Sequence, residues 1–305
     1  MKKLLFAAMI AFIAVGCSKS ESEPEKVEEP KPVFTVSEIK LDRDIIGVNQ
    51  VVSYSIEVPK GGDAVYVCKW VITGPDGATL EKTEINETKF EHLVKQKGTY
   101  KIDLHVTSGV FSAKKTSQFT SRETEFKSGF FGDTKDLIVK SKDFQGYSPE
   151  TGITGAYFWP FQSTRPADVV TYKVGDYYER YIFIENKLVA GVFERRNNTH
   201  NSQSNGVSRN FSYGMFVSES TQFNTFFNTT TTPTTHWRDG VTESTKLRYE
   251  TNYSTKNDGY GWALMNRDVD KYTILWESST HEAFGQLLND GGTSKYMMQF
   301  ALKKK

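Results

Sequence analysis

Apolar and polar positions alternate with period two over much of the chain, which predicts strands. Val51 to Val58 is the first such run, followed by a Pro59-Lys60-Gly61-Gly62 turn. Ala64 to Ile72 is the next, closed by Gly74-Pro75-Asp76-Gly77. That tetrapeptide is a strong turn, since Pro fixes φ and Gly accepts positive φ. In the run beginning Gly98, residues Tyr100, Ile102, Leu104 and Val106 share one face. Short strands separated by turns from residue 33 to 122 predict a β-sandwich.

From residue 123 to 305 the pattern predicts a second, β-rich α+β unit. Asp133 or Thr134 caps a short helix, TKDLIVKSK, with Leu137, Ile138 and Ser141 on one side. Strands follow at 155–161, 169–174, 177–185 and 188–195, as an antiparallel meander. Ser218 to Phe227 reads as a short helix with Ser218 as its cap, followed by strands at 246–253, 259–266 and 272–278. A last helix at 280–288 precedes a final strand at 295–302. The order helix, strand, strand, strand thus occurs twice, which is consistent with an internal duplication. Residues 195–206 and 228–240 read as long polar loops, where binding residues tend to sit.

The N-terminus breaks this pattern. Leu4 to Val15 is an unbroken apolar run of twelve residues behind Lys2 and Lys3. It is shorter than the roughly 20 residues that span a bilayer and fits the core of a secretion signal. It ends Ala14-Val15-Gly16-Cys17, which resembles the lipobox of bacterial lipoproteins. That resemblance implies cleavage after residue 16, acylation of Cys17 and a membrane anchor. Residues 17–32 hold Glu21, Glu23, Glu25, Glu28 and Glu29 among Ser, Pro and Lys, and predict a disordered tether. Acidic residues behind the lipidated cysteine resemble the signals that send Bacteroidota lipoproteins to the outer face of the outer membrane. Both the outer and the periplasmic face stay open.

A second resemblance rests on Trp70, the TGPDG turn and the strand KGTYKIDLHVT. Together these are similar to an immunoglobulin-like domain of the polycystic-kidney-disease (PKD) type, whose modules act as spacers. The fold class is therefore mainly β: an N-terminal immunoglobulin-like β-sandwich, then antiparallel meanders with a few short helices. The run from Phe131 to Phe193 is similar in architecture to small envelope lipoproteins built from a helix and a three-stranded sheet, which bind other envelope proteins.

Charge is balanced, with 38 basic and 37 acidic side chains, so no basic field points to nucleic acid. With Cys17 lipidated, Cys68 has no partner in the chain and reads as a small buried core residue. His92 and His105 read as strand-surface residues. No Cys/His set has zinc spacing, no calcium loop occurs, and no nucleotide, metalloprotease or serine-hydrolase motif is present. No catalytic residue, metal ligand or cofactor is predicted. His236 and Asp239 are close in sequence but lack a nucleophile.

Aromatic faces suit sugar rings, and Trp and Arg anchor protein interfaces. This nominates Trp159, within Tyr157-Phe158-Trp159-Pro160-Phe161, together with Trp237 and Arg238. The function expected is a non-enzymatic binding or adhesion lipoprotein, for glycan or an envelope protein. A periplasmic assembly protein is the alternative, and a hydrolase without a local motif is the third reading.

Overall fold

The computed structural model describes residues 33–150, 166–175, 177–197, 207–253, 255–289 and 296–305. Cys17, the tether and Trp159 with its aromatic neighbours lie outside the described residues.

The first unit contains β1 (Lys40–Leu41), β2 (Ile46–Gly47), β3 (Val51–Ser55), β4 (Val67–Thr73), β5 (Thr79–Ile85), β6 (Lys89–Leu93), β7 (Gly98–Ser108) and β8 (Phe111–Arg122). They form a three-stranded sheet, β1-β3-β6, and a five-stranded sheet, β2-β8-β7-β4-β5. The inward residues of both sheets make one core, including Val52, Tyr54, Cys68, Trp70, Phe90, Ile102 and Leu104. This is an immunoglobulin-like β-sandwich by topology, with the buried Trp of that fold on a central strand. Trp70 is fully buried and stacks near Tyr54 and Phe90, each at 6.3 Å. The GPDG turn forms as the sequence predicts, with Gly77 at φ +80° and the Gly77 amide donating to Gly74 O. Cys68 is a free, fully buried thiol, which burial pushes up to a pKa of about 11.

His92 departs from the expected surface position. Phe90 and His92 both point inward along β6, and His92 is only 7% exposed. Its Nδ1 lies 2.7 Å from the Tyr54 hydroxyl, and the ring packs near Tyr54, Phe90, Tyr100 and Phe119. That hydrogen bond to a buried tyrosine makes an inward histidine tolerable.

The second unit begins with α1 (Lys135–Phe144), capped by Thr134, whose side chain accepts from the Leu137 amide. Then come β9 (Asp168–Val174), β10 (Tyr177–Ile184), β11 (Lys187–Asn197), α2 (Val207–Phe227), β12 (Thr234–Trp237), α3 (Glu243–Thr251), α4 (Lys256–Met265), β13 (Val269–Glu277), β14 (His281–Asn289) and β15 (Tyr296–Lys304). All seven strands form one antiparallel sheet, in the order β12-β13-β14-β15-β11-β10-β9. Two three-stranded meanders, β9–β11 and β13–β15, meet through their last strands, with Phe193 opposite Phe300. A helix followed by a three-stranded meander therefore occurs twice.

The second meander is not where the sequence pattern places it. Residues 246–253 and 259–266 fall largely within helices α3 and α4, not strands. Within 246–253 Tyr249 is fully buried while Leu247 is exposed, and Thr242 caps the segment as a helix. Gly259 lets the two helices approach, since a Cβ there would lie 1.7 Å from Tyr249 O. Residues 281–289 form strand β14 rather than a helix, because Ala283, Gly285 and Leu287 alternate onto the core face. The helix at 218–227 is the C-terminal half of the longer α2. The Thr-rich stretch 228–240 is not all loop, as it carries the edge strand β12.

Charged groups are buried on both faces of this sheet. Lys142 on α1 forms an ion pair with Glu179 at 2.5 Å, and burial lowers the Lys142 pKa against that opposing pull. On the other face Arg180 holds Glu194 in a two-point bridge, at 2.7 and 3.2 Å. Gln299 donates to Glu194, and Gln286 donates to Gln299 at 2.8 Å. This ladder crosses four strands and the seam between the meanders. A one-residue slip would turn each of its members to the opposite face.

A polar joint fixes the two units together. The fully buried Gln50 accepts from the Gly47 amide and donates to Ser128 O and Asp133 Oδ2, at 3.0, 3.1 and 2.6 Å. The Ser141 hydroxyl accepts from the Val51 amide at 3.0 Å. Lys140 on α1 reaches Glu91 on β6 at 2.6 Å. With Lys89 and Ser53 also bonded to it, the Glu91 carboxyl is held down at a pKa of about 2 against the penalty of burial. Arg122 at the end of β8 lies 4.6 Å above the Phe130 ring. The joint holds the segment 123–133 in place, and that segment supplies one wall of a cleft.

Candidate binding cleft

The cleft opens between this segment, the sheet and α2. It is lined by Glu125, Phe126, Lys127, Phe193, Glu219, Gln222, Phe223, Phe226 and Leu302, and encloses about 670 Å³ of space continuous with solvent.

Each wall follows from local sequence. Phe126 and Gly129 exchange backbone hydrogen bonds, so Lys127 and Ser128 form a tight turn. Lys127 takes φ +49°, a left-handed conformation that ordinary side chains seldom adopt. The turn presents the Lys127 ammonium 4.4 Å from the centre of the Phe193 ring. The other side of that ring pairs with Tyr177 at 4.4 Å. Glu125 is held from two directions: it accepts from the Phe131 amide at 2.7 Å and lies 3.2 Å from His281 Nε2. His281 in turn lies between Phe131 and Phe226, at 5.7 and 5.4 Å.

On α2, residues 219, 222, 223 and 226 follow the i, i+3, i+4, i+7 spacing of one helix face. Phe223 is seated by Trp276 and Phe300, at 5.0 and 5.1 Å. Trp276 is itself fixed by donating to Asn224 at 2.6 Å. Glu219 accepts from Gln222 at 3.2 Å on the exposed side. Phe226 is 46% exposed at the rim. The result is an apolar floor of Phe193, Phe223 and Leu302, with two carboxylates and one ammonium around it.

The residues nominated from sequence lie elsewhere. Trp237 sits on β12, half-buried, near Tyr249 at 6.1 Å. From Tyr249 the rings continue to Tyr253 at 5.9 Å and Trp262 at 6.2 Å. The faces in this row are largely turned to one another, and Tyr249 is anchored by Asp268 and Asn266. Arg238 makes an exposed pair with Asp270 at 3.0 Å. His236 bonds Thr273 at 2.6 Å through Nε2. Neither Trp237 nor Arg238 lines the cleft, and Trp159 lies outside the described residues. The cleft residues escaped sequence reasoning because they come from four separated stretches. The one legible signal was the spacing Glu219, Gln222, Phe223, Phe226 within a segment already read as helical.

Among the described residues no three His, Cys, Asp or Glu side chains converge as a metal site. Glu125 and Glu219 face one cleft, the arrangement that a hydrolase would use. Both oxygens of Glu125 are, however, already engaged.

No family model matches the chain, and no curated protein matches it. Among solved structures the chain is similar to a CARDB domain from Pyrococcus furiosus, determined in complex with di-metal ions. The identity is 19%, covering 33% of this chain and all of that one, with a TM-score of 0.23.

Proposed function

We propose that the chain is a lipid-anchored envelope protein that binds a partner, without catalysis, in the cleft of its second unit. The observation that carries this reading is an apolar floor open to solvent and ringed by fixed charges. Such floors exclude water while a few placed polar groups orient a ligand. The lipobox-like Cys17 supplies the anchor, and the PKD-type sandwich acts as a spacer fixed to the binding unit through Gln50 and Lys140. The acidic tether favours the outer face of a Bacteroidota-type outer membrane. An envelope protein is the preferred partner; a glycan is the other class.

Two experiments test this. Cys17→Ala should leave the protein unlipidated and soluble with its fold intact, and protease added to intact cells should release the wild type. Full protection from protease would favour the periplasmic assembly role. The chain from Val33, presented to peptide and glycan arrays, should retain a ligand that Gln222→Trp abolishes, because the exposed Gln222 position overhangs the cleft. Retention unaffected by Gln222→Trp would overturn the cleft as the site. The two carboxylates favour a hydrolase as the second reading, and loss of a hydrolytic activity in Glu219→Gln would establish it.

A further inference from the structure

We infer that the cleft is a receptor for an arginine side chain of a partner polypeptide; this rests on the cleft being the binding site. Three features converge. Carboxylates outnumber ammonium groups on the lining, Glu125 and Glu219 against Lys127. Four phenylalanines line the same cleft, and aromatic faces attract cations, most strongly where water is excluded. The chain also shows what such a site takes, because Lys127 already lies over Phe193 at 4.4 Å. A left-handed backbone at Lys127 holds this internal cation at the mouth. Its strain is relieved if the turn opens when a partner's cation replaces it.

The preference for arginine over lysine follows from shape. A guanidinium is planar and weakly hydrated, so it can stack on a ring and fork to a carboxylate at once. Glu219 is the better placed fork, since among the described residues its side chain accepts a hydrogen bond from the exposed Gln222 alone. Glu125 is fixed by Phe131 and His281 and supplies a stationary negative charge instead. The exposed rim ring, Phe226, covers the guanidinium from the solvent side.

The test uses the chain from Val33 and a matched set of blocked tripeptides with a central Arg, citrulline or Glu, titrated by NMR. The Arg peptide should bind, weaken with added salt, and bind more tightly than the isosteric but neutral citrulline peptide. Glu219→Gln should weaken it roughly five-fold, the effect of one rim charge. Lys127→Asn, which keeps a residue tolerant of positive φ, should tighten it by removing the competing cation. Citrulline binding equal to Arg, or Lys127→Asn weakening the Arg peptide, overturns the inference. If a glycan or an acidic peptide binds and Gln222→Trp blocks it, the arginine inference fails while the cleft reading stands. Arg binding that survives Gln222→Trp overturns both.

Discussion

Acid should destabilise the first unit through His92 before Glu91 of the joint titrates. His92 is 7% exposed, and burial lowers its pKa from 6.5 to about 4. Above pH 6.5 the imidazole is neutral in both folded and unfolded chains and contributes no pH dependence. Below 6.5 the unfolded chain takes up a proton that the folded chain refuses, so stability falls until about pH 4 and then levels. The full loss is about 3 kcal/mol, and at pH 4.5 it is about 2.5 kcal/mol. The assay exploits Cys68, the one thiol in a chain beginning at Val33 and fully buried in the same core. A brief pulse of a pyridyl disulfide, whose activated disulfide thiols attack even in acid with loss of pyridinethione, labels it only where the first unit has opened. Urea titrations read in this way give the stability of that unit at each pH. His92→Asn keeps an acceptor for the Tyr54 hydroxyl but cannot take up the proton. The variant should be less stable at pH 7, yet lose about 2.5 kcal/mol less than the wild type between pH 7 and 4.5. Equal losses in the two proteins would refute the reasoning.

Further outcomes follow from the same geometry. Glu91, held at about 2, stabilises the fold above pH 4.5, and that contribution is lost as pH falls from 4.5 towards 2. Lys140→Ala should shrink this second acid step and cost about 1 kcal/mol at pH 7, read by the same thiol pulse. Phe216 is fully buried and stacks 5.3 Å from Phe300, so Phe216→Ala should cost about 4 kcal/mol in urea unfolding of the second unit. Gly259→Ala should push α4 off α3 and cost about 3 kcal/mol, seen also as a changed Trp262 fluorescence.

The sandwich was largely legible from sequence because its strands have one wet face. Tyr100, Ile102, Leu104 and Val106 alternate with polar residues, and the GPDG turn has a single reading. The second unit was less legible, for two physical reasons. Its central strands are buried on both faces: in β10, Glu179, Tyr181 and Phe183 face α1 while Arg180 and Ile182 face the other side. Alternation is therefore absent where the sheet is most central. Conversely, α3 and α4 are short and cover the sheet with scattered aromatic residues, so they lack an apolar stripe. His92 shows the complementary failure, since a polar residue turned inward looks like surface until Tyr54 is seen beside it. Trp237 was legible as a notable aromatic, but its neighbour Tyr249 comes from a helix that the pattern hid. The cleft is a tertiary object assembled from residues as far apart as Glu125 and Leu302.

The claim that a ligand enters between the 123–133 segment and α2 is tested most directly by fluorine NMR. Incorporating fluorophenylalanine places probes at Phe193, Phe223 and Phe226 in the cleft and at Phe34, Phe90 and Phe119 in the sandwich. Saturating the chain with the arginine tripeptide should shift the three cleft signals and leave the three sandwich signals unmoved. Saturation that leaves Phe223 and Phe226 in place, or that moves only probes outside the cleft, would contradict it.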